Sequence, residues 1–113
     1  MTIEKRIRDA LLTFGDPVQK GVYLGTGEKW FTFGYVAVPE VYGDDRPDAV
    51  RHLIDVHFFA PWTYDTAKRI PKVCLALESA GFTYPVVTSA GDQEGQHVVF
   101  DCEYAGGVPN GND

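Results

Sequence analysis

Two segments of this chain are so rich in aromatic and β-branched residues that they place a β-sheet at the centre of its fold. Trp30–Val38 consists almost entirely of such residues, which favour the pleated surface of a strand. Pro39 predicts the end of that strand, because proline cannot donate a ladder hydrogen bond. Val50–Ala60 is apolar at both odd and even positions, and successive side chains of a strand point to opposite faces. We therefore expect a central strand there, covered on one face and partly on the other.

Helical periodicity is present in two places. The first apolar stripe comprises Ile3, Ile7, Ala10, Leu11 and Phe14. Thr2 is a suitable N-cap, and Gly15 predicts the end of this helix. The second stripe comprises Ile70, Val73, Cys74, Leu77 and Ala80, with Thr63 or Asp65 as the cap and Gly81 as the stop. Because a proline inside a helix removes a hydrogen bond, Pro71 predicts a kink or a separate first turn at residues 64–69.

The remaining segments complete an α+β fold of order α-β-β-β-α-β-β. Residues 18–23 predict a weak strand, and residues 82–88 and 97–104 predict two strands joined by a polar hairpin loop at 89–95. Glu40–Ala49 is predicted to be a polar loop that is mobile or held by a partner. We expect residues 1–104 to form a single domain, an antiparallel or mixed sheet of four to five strands with two helices packed on one face. Residues 105–113 are expected to be a flexible, glycine-rich tail.

The formal charge of −6 is confined to the end of the chain. Residues 1–72 contain all ten bases and ten acids, whereas the last 41 residues contain six acids and no base. This distribution argues against binding driven by phosphates or anionic membranes. There is no apolar run long enough to span a bilayer and no apolar stretch typical of a signal peptide near residue 1, so we expect neither.

The residues that carry chemistry form no recognisable catalytic or metal motif, and we expect no cofactor and no enzymatic activity. His52 and His57 are predicted to face opposite sides of one strand. A metal site or an enzyme site built from His52, His97 and Asp101 remains an alternative. Cys102 is predicted to be an inert core thiol, since alternation places it with Phe100 and Tyr104. With Cys74 it is expected to be reduced.

Aromatic residues on both faces of Trp30–Val38 indicate more apolar surface than a small monomer can bury. The alternative is that one face lies under a helix and the other under a loop. The candidate subunit-interface residues are Trp30, Val41, Tyr42, Asp44, Asp45 and Arg46. The candidate residues of an acidic lumen or surface face are Asp92, Glu94, Asp101 and Glu103.

The order of elements and three short phrases resemble a known family. The phrases are Trp30-Phe31-Thr32-Phe33-Gly34-Tyr35, His52-Leu53-Ile54-Asp55-Val56-His57-Phe58-Phe59, and Tyr64-Asp65 before a helix ending Ala80-Gly81-Phe82. With the closing strand His97–Tyr104 they resemble the tail terminator or tail completion proteins of long-tailed bacteriophages and prophages. The similarity spans roughly residues 1–104, and it is weakest at Pro71 and in the C-terminal tail.

The resemblance implies a structural virion protein that assembles in the bacterial cytoplasm into a ring, commonly a hexamer. Such a ring caps the tail tube and meets the head–tail connector or head-closure protein, and DNA passes through it without specific binding. Two alternatives remain: a head-closure or neck adaptor of the same virion, and a small intracellular acidic binding or inhibitor module.

Overall fold

A computed structural model describes residues 2–42 and 46–104. The elements are α1 (Ile3–Leu12), β1 (Val18–Lys20), β2 (Trp30–Tyr42), β3 (Arg46–Ala60), α2 (Thr66–Ser79), β4 (Val86–Ser89) and β5 (Gln96–Tyr104). The five strands form one sheet in the order β1-β2-β3-β5-β4. β1 runs parallel to β2, and the other neighbours are antiparallel. This is the predicted α+β fold with a mixed sheet.

One face of the sheet carries the hydrophobic core. Strand alternation directs Phe31, Phe33, Val56, Phe58 and Phe100 to this face, and each is at most 1% exposed. Both helices bury their apolar stripes in the same cluster, through residues that include Ile3, Ile7, Leu11, Val73 and Leu77. Phe31 lies opposite Phe58 in the ladder, with ring centroids 4.9 Å apart. The sequence prediction that both helices cover one face is therefore confirmed.

Helix α1 begins and ends as predicted. The Thr2 side chain accepts a hydrogen bond from the Lys5 backbone N–H at 3.1 Å, which satisfies one of the free donors of the first turn. Arg6 connects this helix to α2, because its Nη1 donates to the carbonyl of Ala80 at 2.9 Å. The Arg6 guanidinium also lies 4.8 Å from the ring centroid of Tyr104.

Helix α2 differs from the prediction at its start. It is continuous from Thr66 to Ser79, so the separate first turn expected at residues 64–69 is wrong. Asp65 is the N-cap, although its side chain makes no capping hydrogen bond. Pro71 lies inside the helix at an exposed position. The packing of Val73, Cys74 and Leu77 into the core offsets the missing hydrogen bond.

Two strand boundaries differ from the sequence prediction. Pro39 does not end β2, which continues to Tyr42. β1 pairs with β2 only as far as Phe33, so at Pro39 β2 is an edge strand. The backbone N–H that proline lacks has no partner strand on that side. The predicted loop Glu40–Ala49 is mostly strand, because β2 and β3 pair from Tyr42 and Arg46 inward with a register shift at Glu40/Val41.

The closing part of the chain follows the prediction more closely. The strand expected at residues 82–88 is shorter, β4 starting at Val86, because Phe82 leaves the sheet to pack in the core at 4% exposure. The hairpin loop and β5 lie where they were expected. The predicted tail at residues 105–113 lies outside the described residues.

Candidate functional site

The face of the sheet opposite the core is not covered by either helix of the described chain. We call this surface the open face. Its cross-strand rows follow from the register: Trp30, Phe59 and His97 form the first row, Thr32, His57 and Val99 the second, Gly34, Asp55 and Asp101 the third, and Val36, Leu53 and Glu103 the fourth. Its side chains are a mixture of aromatic, imidazole and carboxylate groups. Such a surface differs from the uniformly polar exterior expected of an antiparallel sheet with one solvated face.

An aromatic ladder crosses the open face along its first row. The ring centroids of Tyr23 and Trp30 are 5.0 Å apart, those of Trp30 and Phe59 are 5.2 Å apart, and those of Phe59 and His97 are 4.2 Å apart, all in stacked geometry. The Tyr23 hydroxyl accepts a hydrogen bond from the Gly27 backbone N–H at 2.9 Å, which ties the preceding loop to the ladder. Trp30, a predicted interface residue, is therefore half-buried by its own neighbours and still borders solvent.

Asp55, His57 and His97 form a hydrogen-bonded chain on the same face. Nε2 of His57 lies 2.8 Å from Oδ2 of Asp55, and Nδ1 of His57 lies 2.7 Å from Nε2 of His97. A carboxylate only accepts, so His57 donates from Nε2, and Nδ1 of a neutral His57 then accepts from His97. The chain fixes both imidazole rings. Desolvation lowers the pKa of His97, the nearby His57 lowers it further, and Asp92 opposes both.

The sequence-based alternative that joined His52 to His97 and Asp101 is wrong in its geometry. β3 and β5 do pair, but their register sets His52 opposite Tyr104 and His97 opposite Phe59. His52 lies on the core face at 4% exposure, on the other side of the sheet from Asp101. The partner of His97 is His57. Alternation alone does not show that these two residues are neighbours. The register of β3 against β5 brings them together.

The two cysteines lie in the core and are free thiols, as predicted. Burial raises the pKa of Cys102 to about 12, with smaller contributions from neighbouring charges, chiefly that of Asp101. Cys102 projects from the core face while His57 and His97 project from the open face. A cysteine–histidine nucleophile is therefore not assembled by these residues.

The predicted acidic residues do not form one patch. Asp101 and Glu103 lie on the open face, with Asp101 directly opposite Asp55 and Glu103 3.5 Å from the Arg51 guanidinium. Asp92 and Glu94 lie in the β4–β5 loop at the other end of β5, where an Asp92 carboxylate oxygen accepts from the Glu94 backbone N–H. Both residues line a groove beside the aromatic ladder.

Three of the other predicted interface residues lie at the far end of the β2–β3 hairpin. β5 pairs with β3 only from His52, and β1 reaches only Phe33 of β2, so residues 38–42 and 46–51 pair with each other alone among the described strands. We call this two-stranded extension the ribbon. Val41, Tyr42 and Arg46 are paired at its outer end. Asp44 and Asp45 lie outside the described residues.

Among residues 2–42 and 46–104, no three His, Cys, Asp or Glu side chains are grouped so that they could hold a metal ion. Neither described helix has the length and hydropathy required to cross a membrane. No protein-family model matches the chain, and neither does any curated protein.

Proposed function

We propose that this chain is a structural, non-enzymatic subunit of a phage or prophage tail, a tail terminator or tail completion protein that works as a ring. The observation that carries the proposal is the ribbon. A two-stranded hairpin is at best marginally stable in water by itself, yet the β2–β3 pair extends beyond both flanking strands. A neighbouring subunit or a second virion protein supplies the surface that such an extension needs.

The open face supports the same conclusion. The aromatic ladder leaves Trp30 and Phe59 half-buried, and Val36 and Leu53 farther along the face are 58% and 37% exposed. Large aromatic side chains beside apolar ones are enriched at the centres of subunit interfaces. The five-stranded sheet with both helices on one face also agrees with the fold that the resemblance to tail terminator proteins implies.

In this role a ring of several copies, with a hexamer expected, caps the tail tube and meets the head–tail connector. Asp101 and Glu103 face the DNA path, where like charge keeps the DNA from adhering. A ring has head-to-tail contacts, so each subunit needs two different surfaces. The ribbon and the open face lie on different parts of the molecule and meet that need.

The direct test measures assembly and tube capping. The purified protein is followed by light scattering and electron microscopy, and then added to a polymerising tail tube protein of a long-tailed phage. We expect a discrete ring and tubes of reduced length. Tubes of unchanged length together with binding to the connector protein would assign the chain to the neck instead. A strict monomer that neither caps tubes nor binds connector would overturn the proposal.

A ribbon variant sharpens this test. Residues 40–49 are replaced by Asn-Gly, a two-residue turn that suits an antiparallel hairpin, and Pro39 and Val50 remain paired at its base. The core residues that the structure describes lie outside the replaced segment and are retained. We expect an unchanged melting temperature and lost assembly. Normal assembly by this variant would show that the ribbon is not the contact.

A further inference from the structure

One groove of the molecule combines an aromatic wall with acidic groups. It encloses about 420 Å³ beside the aromatic ladder, where Trp30, Phe59 and His97 contribute their rings. The acidic side chains that line it are Glu28, Asp92 and Glu94, and no lysine or arginine of the described chain lines it. We call it the acidic groove. The three acidic residues have no basic neighbour in the lining, so the groove favours a cationic side chain.

A second groove has the opposite charge. It encloses about 310 Å³ at the start of α2 and is lined by Phe14, Tyr64, Asp65, Lys68, Arg69 and Lys72. Three cations and one anion give this basic groove a formal charge of 3 − 1 = +2. The Arg69 guanidinium is already bonded to the carboxylate of Asp16.

The two lysines of the basic groove remain available to a partner. Lys68 lies 3.7 Å from Asp65, but their side chains are 85% and 58% exposed, and such a pair is weak. Lys72 makes no ion pair with the described residues. Lys68 and Lys72 are one helical turn apart, so their side chains lie side by side.

The two grooves lie at the same end of the sheet but on opposite faces. The acidic groove is built on the open face at Trp30 and His97, and the basic groove contacts the core side through Tyr64, whose ring packs on Phe58. Gln96 fixes the segment between them, because its Nε2 donates to the carbonyls of both Pro61 and Tyr64 at 2.8 Å. Complementary surfaces on opposite sides of one subunit produce a head-to-tail contact rather than a two-fold dimer.

We infer that the acidic groove of one copy receives Lys68 and Lys72, at the start of α2, from a second copy of this chain. The ammonium groups pair with Glu28 and Glu94. The inference rests on the proposed function and identifies the contact that closes the ring. The ribbon, at the opposite end of the sheet, makes the further contact that the proposed function assigns to it.

Charge reversal tests the contact. A groove variant carries Glu28→Lys and Glu94→Lys, and a helix variant carries Lys68→Glu and Lys72→Glu; all four positions are exposed. By sedimentation velocity, each variant alone is expected to self-associate at least about tenfold more weakly than the wild type, because like charges face each other. In an equimolar mixture the two variants can alternate around the ring. The lysines of each groove-variant groove then meet the glutamates of a helix variant, and the lysines on its helix meet the unchanged groove of the next copy. The mixture should therefore give closed rings with an even number of subunits.

The matched control combines Asp9→Lys with Glu78→Lys, which changes the net charge as the groove variant does but lies outside both grooves. It should assemble like the wild type. If both reversed variants assemble normally, or if the mixture fails to restore assembly, the inference is overturned while the proposed function stands. If the wild type forms no ring at any concentration and does not cap tail tubes, the proposed function fails and the inference fails with it.

Discussion

Nδ1 of His57 lies 2.7 Å from Nε2 of His97, so a hydrogen bond joins the two imidazole rings across two antiparallel strands. His97 is the outer member of the pair and stacks on Phe59. Protonating both rings at once would break their hydrogen bond and place two positive charges in contact. Desolvation and the neighbouring His57 therefore disfavour the charged form of the His97 ring and lower its pKa.

This relationship predicts a pH dependence of stability. The pKa of His97 is lowered in the folded protein by desolvation and by His57, so the unfolded chain binds more protons in the window just below the ordinary histidine value. The contribution of His97 to the free energy of unfolding is therefore fully present above about pH 6.5 and is lost as the pH drops through the pKa of His97 in the folded protein. NMR titration of the His97 ring should give a pKa below that of a histidine peptide. The charged and titratable groups facing the ring are Asp55, His57, Glu28, Asp92 and Glu94.

His97→Gln provides the control for that titration. Glutamine keeps a hydrogen-bond donor but does not titrate, so the loss of stability between pH 7.5 and 5.5 should be smaller in this variant. Urea unfolding at the two pH values measures the difference. An equal loss in both proteins would assign the pH dependence to other groups.

A second prediction concerns Asp101 and Asp55, which lie directly opposite each other on β5 and β3. Like charges in directly opposed positions destabilise a sheet. Asp101→Asn should therefore raise the free energy of unfolding by roughly 0.2–1 kcal/mol. The matched control is Glu103→Gln, two residues along the same face, where neutralisation removes the pairing with Arg51 and should leave stability unchanged or lower it. A destabilised Asp101→Asn protein would contradict the prediction.

A third prediction concerns thiol reactivity. Burial raises the pKa of Cys102 to about 12 and also raises that of Cys74, and the thiolate is the reactive form. A disulfide reagent such as Ellman's reagent at pH 8 should label neither thiol in the folded protein and both in denaturant. Fast labelling of a single cysteine under native conditions would show that one side chain reaches solvent.

A fourth prediction concerns the cap of α1. The Thr2 side chain accepts from the Lys5 backbone N–H, and removing such a cap typically costs about 1 kcal/mol. Thr2→Ala should lower the free energy of unfolding by that amount, whereas Thr2→Ser, which retains the hydroxyl, should cost much less. Denaturant unfolding of the three proteins measures both differences. Equal losses would show that the methyl group of Thr2 matters and its hydroxyl does not.

The faces of the sheet could be predicted from the sequence because strand alternation has a period of two. Alternation alone predicts that His52 and His57 lie on opposite faces of one strand and that Cys102 lies with Phe100 in the interior. The extent of β2 was wrong because Pro39 is read as a break unless the edge position of its strand is known. The continuity of α2 through Pro71 likewise depends on core packing, which a local rule does not include.

The candidate site was less predictable than the fold. Trp30 and the acidic residues were singled out individually, but the contact between His57 and His97 depends on the register of β3 against β5. That register is set by which residues fill the core opposite one another, as Val56 does opposite Phe100. The acidic groove has the same origin, since the β4–β5 loop and the three strands β2, β3 and β5, which are distant in sequence, contribute its walls.

The hydrogen bond from Arg6 to the carbonyl of Ala80 joins residues 74 positions apart and has a consequence for synthesis. Helix α1 is synthesised before α2 and β5, and an isolated ten-residue helix is marginal in water. The surface that holds it is complete only when α2 and β5 have followed. The β2–β3 hairpin, whose contacts are local, forms much sooner. Chains cut before residue 80 therefore lack the acceptor of this hydrogen bond and the part of the α1 docking surface that α2 and β5 provide.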